Sequence, residues 1–493
     1  MSEEKIVKIK NKFRPDSISY RVKNVLSYFR IPINLFLFYF DYLKEKENLI
    51  TPFLPHKIDE KFFGINVASN PDERMDDYFI ERLRELNIKT VRTDYSPASN
   101  KENTERWLNR LINEGFDVLL HLVQPQNEAS NMDKCSGSIY RTCVKRWETF
   151  LDSVLSKYHK QIKLYEIGST PNRQSWSGYT ISDYVESVKI ASGLARKYDV
   201  KILGPNISDF APYFLITILR ILYNENIHFD MVTDNLFVDR AGQPEEYDKH
   251  IVGEKFKNLF RLNLLKKLQI INNIAKIYKC ENPICTYTYW TLDTEGRKRK
   301  RYVTEEKYAD YLVRYHLIVA ASGLLKRVYW GQMAGYYKGI IKENVKFRCY
   351  PPTVYQKLEN LGDVDEYEIR AGFYAYKFLI QIISGSAFKR AILHPHHFPP
   401  SLTLPLKGGG KGGGGRVWVG GIEPGPYKTY IYEFEKNGKQ IFTMWTIDNK
   451  TDKLSKYLNL NLSNYDVFDR DGNKKDIKDD VVITESPCYV IQR

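Results

Sequence analysis

The chain has 493 residues, 43% of them hydrophobic, with a formal net charge of +14 and a pI near 9.1. A single core stops growing at roughly 250 to 300 residues, so this length excludes one small domain and predicts a large domain beside a small one. The charge favours contact with anionic surfaces such as membrane headgroups, acidic glycans or nucleic acid, without choosing among them.

The opening segment MSEEKIVKIKNKFRPD is charged throughout. It lacks the apolar centre and small-residue cleavage site of a secretory signal, and a cytoplasmic protein is expected. Six cysteines (Cys135, Cys143, Cys280, Cys285, Cys349 and Cys488) form no C-x-x-C pair and lie in apolar stretches, which suits free thiols in a reducing compartment. The run IPINLFLFYF (31 to 40) is about half a membrane span and follows Lys5, Lys8, Lys10, Lys12, Arg14, Arg21, Lys23 and Arg30. Two readings of residues 1 to 47 stand: an amphipathic helix peripheral on an anionic inner membrane surface, or a helix docking its apolar face on the main domain.

From residue 60 short apolar segments alternate with longer stretches of helical period. FFGIN (62 to 66) reads as a strand, and DERMDDYFIERLRELN as a helix in which Met75, Phe79, Leu83 and Leu86 share a face. The alternation continues through strands at 89 to 96, 116 to 125, 162 to 168, 200 to 205, 229 to 238, 283 to 290 and 327 to 333. The helices between and after them are predicted at 104 to 115, 141 to 159, 182 to 199, 212 to 225, 254 to 279, 304 to 323 and 365 to 384. Eight such pairs predict an α/β fold, a (β/α)8 TIM barrel over 56 to 384 with a basic N-terminal helical segment at 1 to 55. A doubly wound sheet is the alternative, but no G-x-G-x-x-G follows the first strand.

Beyond residue 385 the pattern becomes all β. KTYIYEFEKNGKQIFTMWTID (428 to 448) reads as a hairpin turning at Asn437 and Gly438, and YDVFDRDGNKKDI and ESPCYVIQ supply further strands. A small C-terminal β-sandwich at 385 to 493 is expected, interrupted by a Gly/Pro-rich loop at 395 to 421 whose composition cannot bury a core.

Active sites of such barrels lie at the C-terminal ends of the strands. Read in order, those ends carry Arg92 and Asp94, His121, Thr170 and Asn172 with Trp176 nearby, Asp234, Tyr287 and Trp290, then Trp330 and Gln332. Aromatic faces and hydrogen-bonding groups at one mouth suit sugar rings.

These segments also resemble the clan A glycoside hydrolases, closest to family 39 of the β-xylosidase and α-L-iduronidase type, over roughly 60 to 390 plus the sandwich. FFGIN is similar to their first strand, VRTDYS to their arginine-bearing second, and YEIGSTPNR to a fourth-strand E-I-G-N-E-P-N. ICTYTYW resembles a seventh-strand I-T-E-x-x-W, and RVYWGQM the eighth-strand tryptophan segment. The resemblance implies a retaining mechanism with two carboxyl groups about 5 to 5.5 Å apart. Its acid/base position is Thr170 here and its nucleophile position is Tyr287, so neither is a carboxylate. The candidate catalytic residues are therefore Glu166, Asp94, Asp234 and Tyr287. Glu166 shares the inward face with Thr170 but lies one layer deeper, where a bond to Arg92 or to a backbone amide is its ordinary role. Arg92, His121, Asn172, Trp176, Trp290, Trp330 and Gln332 are the candidate sugar-binding residues.

No metal site, cofactor motif or nucleic-acid motif is expected; His394, His396 and His397 cluster only beside the Gly/Pro-rich loop. Two functions remain open. One is a hydrolase-like protein acting on a carbohydrate in cell-surface polysaccharide metabolism. The other is a non-catalytic protein that holds a glycan or glycolipid at the inner membrane surface.

Overall fold

The computed structural model describes residues 6–7, 18–45, 51–236, 242–292, 302–347, 359–360, 362–393, 428–477 and 479–493. The loop expected at 395 to 421 and the histidines at 394, 396 and 397 lie outside the described residues.

Eight parallel strands close into a barrel: β1 (Phe63–Val67), β2 (Thr90–Tyr95), β3 (Asp117–Leu122), β4 (Leu164–Ile167), β5 (Lys201–Ser208), β6 (Met231–Asn235), β7 (Glu281–Thr288) and β8 (Arg327–Trp330). Closure is made by β8 on β1, with Val328 opposite Phe63 and Trp330 opposite Ile65. Outside them, after the N-terminal α1 (Ile18–Glu45), run α2 (Glu73–Glu85), α3 (Lys101–Asn113), α4 (Ser138–Tyr158), α5 (Ile181–Tyr198), α6 (Pro212–Asn224), α7 (Leu264–Ile277), α8 (Glu305–Ser322) and α9 (Ala371–Ile383). The helices begin where side chains supply caps: Asp72 accepts from the Met75 amide, and Thr180 and Asp183 form a reciprocal capping box.

Because strand side chains alternate, the lumen is built in layers. Its floor is a buried apolar cluster of Leu119, Leu164, Leu203, Met231, Ile284 and Tyr329, each side chain worth about 1.5 to 3 kcal/mol of burial. Two residues further along the strands the lumen turns polar, with Asn66, Arg92, His121, Glu166 and Thr286 all buried.

Two predicted helices are shorter than their hydrophobic period. The one expected at 254 to 279 begins at Leu264, because Arg261 adopts a left-handed φ of 48° and Asn263 then caps the new helix through the Lys266 amide. The one expected at 365 to 384 begins at Ala371. Before it, Glu368–Ile369 pair as a strand with Gly339–Lys342, and the Arg370 guanidinium binds the carbonyls of Gly335, Gly339 and Tyr336.

A seven-stranded antiparallel sheet follows the barrel: His56–Lys57, β9 (Ala387–Leu393), β10 (Thr429–Lys436), β11 (Lys439–Thr446), β14 (Cys488–Gln492), β12 (Tyr465–Phe468) and β13 (Lys474–Lys475), in that spatial order. Asn437 and Gly438 turn the β10–β11 hairpin with φ of 53° and 75°, as a two-residue type I′ turn requires. Tyr430, Tyr432, Phe434, Trp445 and Tyr489 face the barrel core. The alternate residues Ile431, Phe442, Met444 and Val490 pack with Leu454 and Ile483 of a short second layer, in which Asp452–Lys453 pair with Val482–Ile483. The result is a sandwich with one large and one small layer.

Helix α1 lies along the outside of α5 and α6. Lys23, counted in the sequence among the basic residues of a membrane-facing segment, is instead buried: its Nζ donates to Asp183 Oδ1 at 2.9 Å, the Ser130 carbonyl at 2.8 Å and Ser136 Oγ at 2.8 Å. At the other end Asp41 pairs with Arg220, and the Phe38 ring packs on Tyr278. No helix among the described residues is long and apolar enough to cross a membrane.

Candidate functional site

At the C-terminal ends of β1, β2, β7 and β8 an open pocket of about 410 Å³ is lined by Asn66, Phe79, Arg92, Asp94, Tyr287 and Gln332, with Val67, Met333 and Asn360. Arg92 organises it. Its Nε donates to Glu166 Oε2 at 2.7 Å, and its Nη1 donates to Asn66 Oδ1 at 2.8 Å and Asp94 Oδ1 at 3.1 Å. One planar guanidinium thus holds both carboxylates, from two of its nitrogens.

The carboxylates are not equivalent. Glu166 is fully buried, and Asn206 Nδ2 donates to its other oxygen at 2.6 Å. Burial alone would raise the Glu166 carboxyl, but Arg92, then His121 and the hydrogen bonds from Asn206 and Arg92, outweigh it and hold the group below the usual range. A carboxyl held so firmly as an anion is a poor proton donor. Asp94 reaches the pocket wall and is also bonded to His121 Nδ1 at 2.7 Å, while His121 Nε2 faces the Gly168 carbonyl at 2.8 Å. His121 is fully buried, so it braces Asp94 and the end of β4 rather than meeting a sugar.

Asp234 is corrected by the structure. Reading it at a strand end placed it near solvent, but its neighbours Thr233 and Asn235 point into the lumen, accepting from the Asn206 amide and bonding Thr286 and Asn206. Alternation sends Asp234 to the outer side of the barrel wall. There it is buried, its Oδ1 has no hydrogen-bond partner, and burial pushes its carboxyl well above the ordinary range, with Lys267 opposing.

Two of the three tryptophans expected as sugar platforms are likewise core residues. Trp330 and Trp290 are both 0% exposed and stack on each other with centroids 6.1 Å apart. Tyr329 takes the lumen-facing place on β8, and Trp330 turns outward, donating from Nε1 to Tyr308 at 2.8 Å. Asn172 has its amide consumed: it donates to the Ser208 carbonyl at 2.8 Å and accepts from the Ser208 amide at 2.9 Å, tying the β4 loop to β5. Trp176 is half-buried on the one-turn helix Gln174–Ser177 beside the mouth, and Gln332 and Tyr287 line the pocket.

Thr170, just after β4, has φ of 42°, and its buried hydroxyl has no hydrogen-bond partner in the protein. A β-branched residue in the left-handed region is strained, and such strain gathers at functional sites. Its amide is held by Asn206 Oδ1 at 3.2 Å. Asn206 and Asn66 were absent from the sequence-based candidates, although Asn206 sits in a strand-end GPN that could have marked it. No group of three His, Cys, Asp or Glu side chains suited to a metal occurs among the described residues.

No family model matches the chain. Among solved structures it is similar to a family 39 glycoside hydrolase from Bacteroides cellulosilyticus WH2, with a TM-score of 0.60 and 14% identity over 89% of this chain and 83% of that one. A glucosidase from Croceicoccus marinus gives a TM-score of 0.52 at 10% identity, covering 90% and 97% of the two chains. A family 39 β-xylosidase from Caulobacter crescentus gives 0.51 at 9% identity, covering 89% and 98%. The chain therefore has the fold of the family 39, clan A glycoside hydrolases, a closed eight-stranded barrel with a C-terminal β-sandwich.

Proposed function

We propose that the chain is a carbohydrate-binding protein on a glycoside hydrolase fold, recognising a glycan or the sugar headgroup of a glycolipid without two-carboxylate retaining hydrolysis. One observation carries the proposal: Glu166 and Asp94, the carboxylates of the barrel's polar layer, are both held by Arg92, and the motif resemblance puts Thr170 and Tyr287 where the family has its acid and nucleophile. Retaining cleavage needs a carboxylic acid that gives up a proton, and a hydroxyl or a clamped anion does not replace it. The Tyr287, Gln332 and Asn360 side chains that line the pocket are groups that a sugar's hydroxyls would engage. The net charge of +14 supports an acidic saccharide of cell-surface polysaccharide metabolism as the ligand.

A second reading has one fact in its favour. Tyr287 lines the same pocket as Asp94 and Arg92, and a tyrosine nucleophile assisted by a carboxylate operates in sialidases. Calorimetric titration with neutral and uronic-acid oligosaccharides, beside an aryl glycoside assay, separates the two. Saturable binding without turnover, weakened about fivefold to tenfold by Gln332→Ala through one lost hydrogen bond, is expected. Turnover that disappears in Tyr287→Phe would establish the second reading, and the absence of any saccharide binding would sink both.

A further inference from the structure

Helix α1 turns most of its apolar surface outward. Its barrel-facing side is mixed, with Tyr20, Lys23, Ser27, Ile31, Phe38 and Asp41, whereas Val22, Leu26, Phe29, Ile33, Phe36 and Phe40 point to solvent, with Phe29 67% and Phe36 65% exposed. Twelve of the twenty-one large hydrophobic side chains exposed among the described residues belong to this one helix. Leaving so much apolar surface in water is unfavourable, so the face calls for an occupant.

The geometry points to an anionic lipid bilayer as that occupant, with α1 lying flat in its surface and the barrel attached behind it. Three observations select lipid over a second copy of the chain. At about 100° per residue the exposed apolar positions cover somewhat more than half the circumference, from Tyr42, Tyr28 and Tyr39 on one margin to Leu37 on the other, much wider than a coiled-coil seam. Charge is arranged for headgroups: exposed Arg30 borders one margin, exposed Arg21 lies beside Tyr39 towards the other, and Lys44 sits in the last turn before the terminal Glu45, while Asp41 is on the docked side with Arg220. Tyrosines at the rim suit the level where an amphipathic ring has one end wet. The orientation follows from the docking. Contacts run from Lys23 in the first turns to Asp41 in the last, so a helix of 28 residues, about 42 Å long, cannot stand across a membrane without leaving the barrel.

The test is flotation of the full chain with phosphatidylcholine vesicles, with and without about one-third phosphatidylserine, for the wild type and a Phe29→Glu/Phe36→Glu double variant. Both side chains are solvent-facing, so an unchanged thermal unfolding curve verifies that the variant is folded. The wild type is expected to float with the anionic vesicles, more weakly with the neutral ones, and the variant to lose roughly tenfold or more of its binding. Failure of the wild type to float, or equal flotation of the folded variant, overturns the proposal. So does a lipid-free dimer in sedimentation that the double variant dissociates while flotation is absent, since the face would then belong to a second copy.

Discussion

Replacing Glu166 by Gln tests the reading of the barrel's polar layer. In the native protein one carboxylate oxygen accepts from Arg92 Nε at 2.7 Å and the other from Asn206 Nδ2 at 2.6 Å. Glutamine has the same shape but one acceptor, so one of those donors must face an N–H, and the buried Arg92 keeps only Asp94 as counter-charge. Breaking a buried, hydrogen-bonded ion pair costs about 3 to 5 kcal/mol. With a urea slope near 3 kcal/mol/M that lowers the unfolding midpoint by about 1 M at pH 7. The pH dependence is the sharper test. A carboxyl whose folded value lies below its ordinary 4.5 stabilises the fold fully above 4.5 and loses that contribution as pH falls through the folded value. The gap between wild type and variant is therefore expected to hold from pH 7 to about 5 and to narrow below 4.5. A gap under about 1 kcal/mol at pH 7, or one that closes between pH 7 and 5, refutes the assignment of Glu166 as a clamped anion.

Lys23→Met removes the cation that fastens α1 and leaves Asp183 with the Thr180 hydroxyl and amide and the Asp133 amide as donors, all neutral. A loss of about 3 kcal/mol is expected, read as faster amide exchange across residues 18 to 45, and unchanged protection there would contradict the docking. Gly168→Ala places a Cβ 2.8 Å from the Tyr184 ring at a φ of 67°, and a destabilisation of about 1 to 3 kcal/mol in thermal unfolding is expected.

Much of the barrel was legible because hydrophobic period is a local property: the α2 face of Met75, Phe79 and Leu83 and the hairpin turn at Asn437 and Gly438 need no tertiary information. The pairing of Glu166 with Arg92 was legible too, since both fall on inward positions of neighbouring or near strands. What failed was parity at strand ends. On β8 regular alternation, with Tyr329 opposite Gly64 and Trp330 opposite Ile65, leaves Tyr329 in the lumen and Trp330 outside it, and a one-residue error in phase exchanges the two faces of a strand. The same error placed Asp234 at the mouth. The docking of α1 was harder still, because the residue that decides it is a lysine whose partner, Asp183, lies 160 positions away. Nothing near Lys23 in sequence announces that it will be buried.

The pairing of His56–Lys57 with β9 has a consequence for how the molecule comes apart. Lys57 lies opposite Ala387, and the Ile58 amide donates to Ser386 at 2.8 Å, so the segment entering the barrel is clasped to the segment leaving its last helix. Everything between those points is a closed circuit. The barrel then has no loose end from which to fray, and removing the C-terminal sheet would cut the clasp as well as expose the aromatic face packed against α9. Barrel and sheet are expected to be lost together, and the stability of one is set by the integrity of the other.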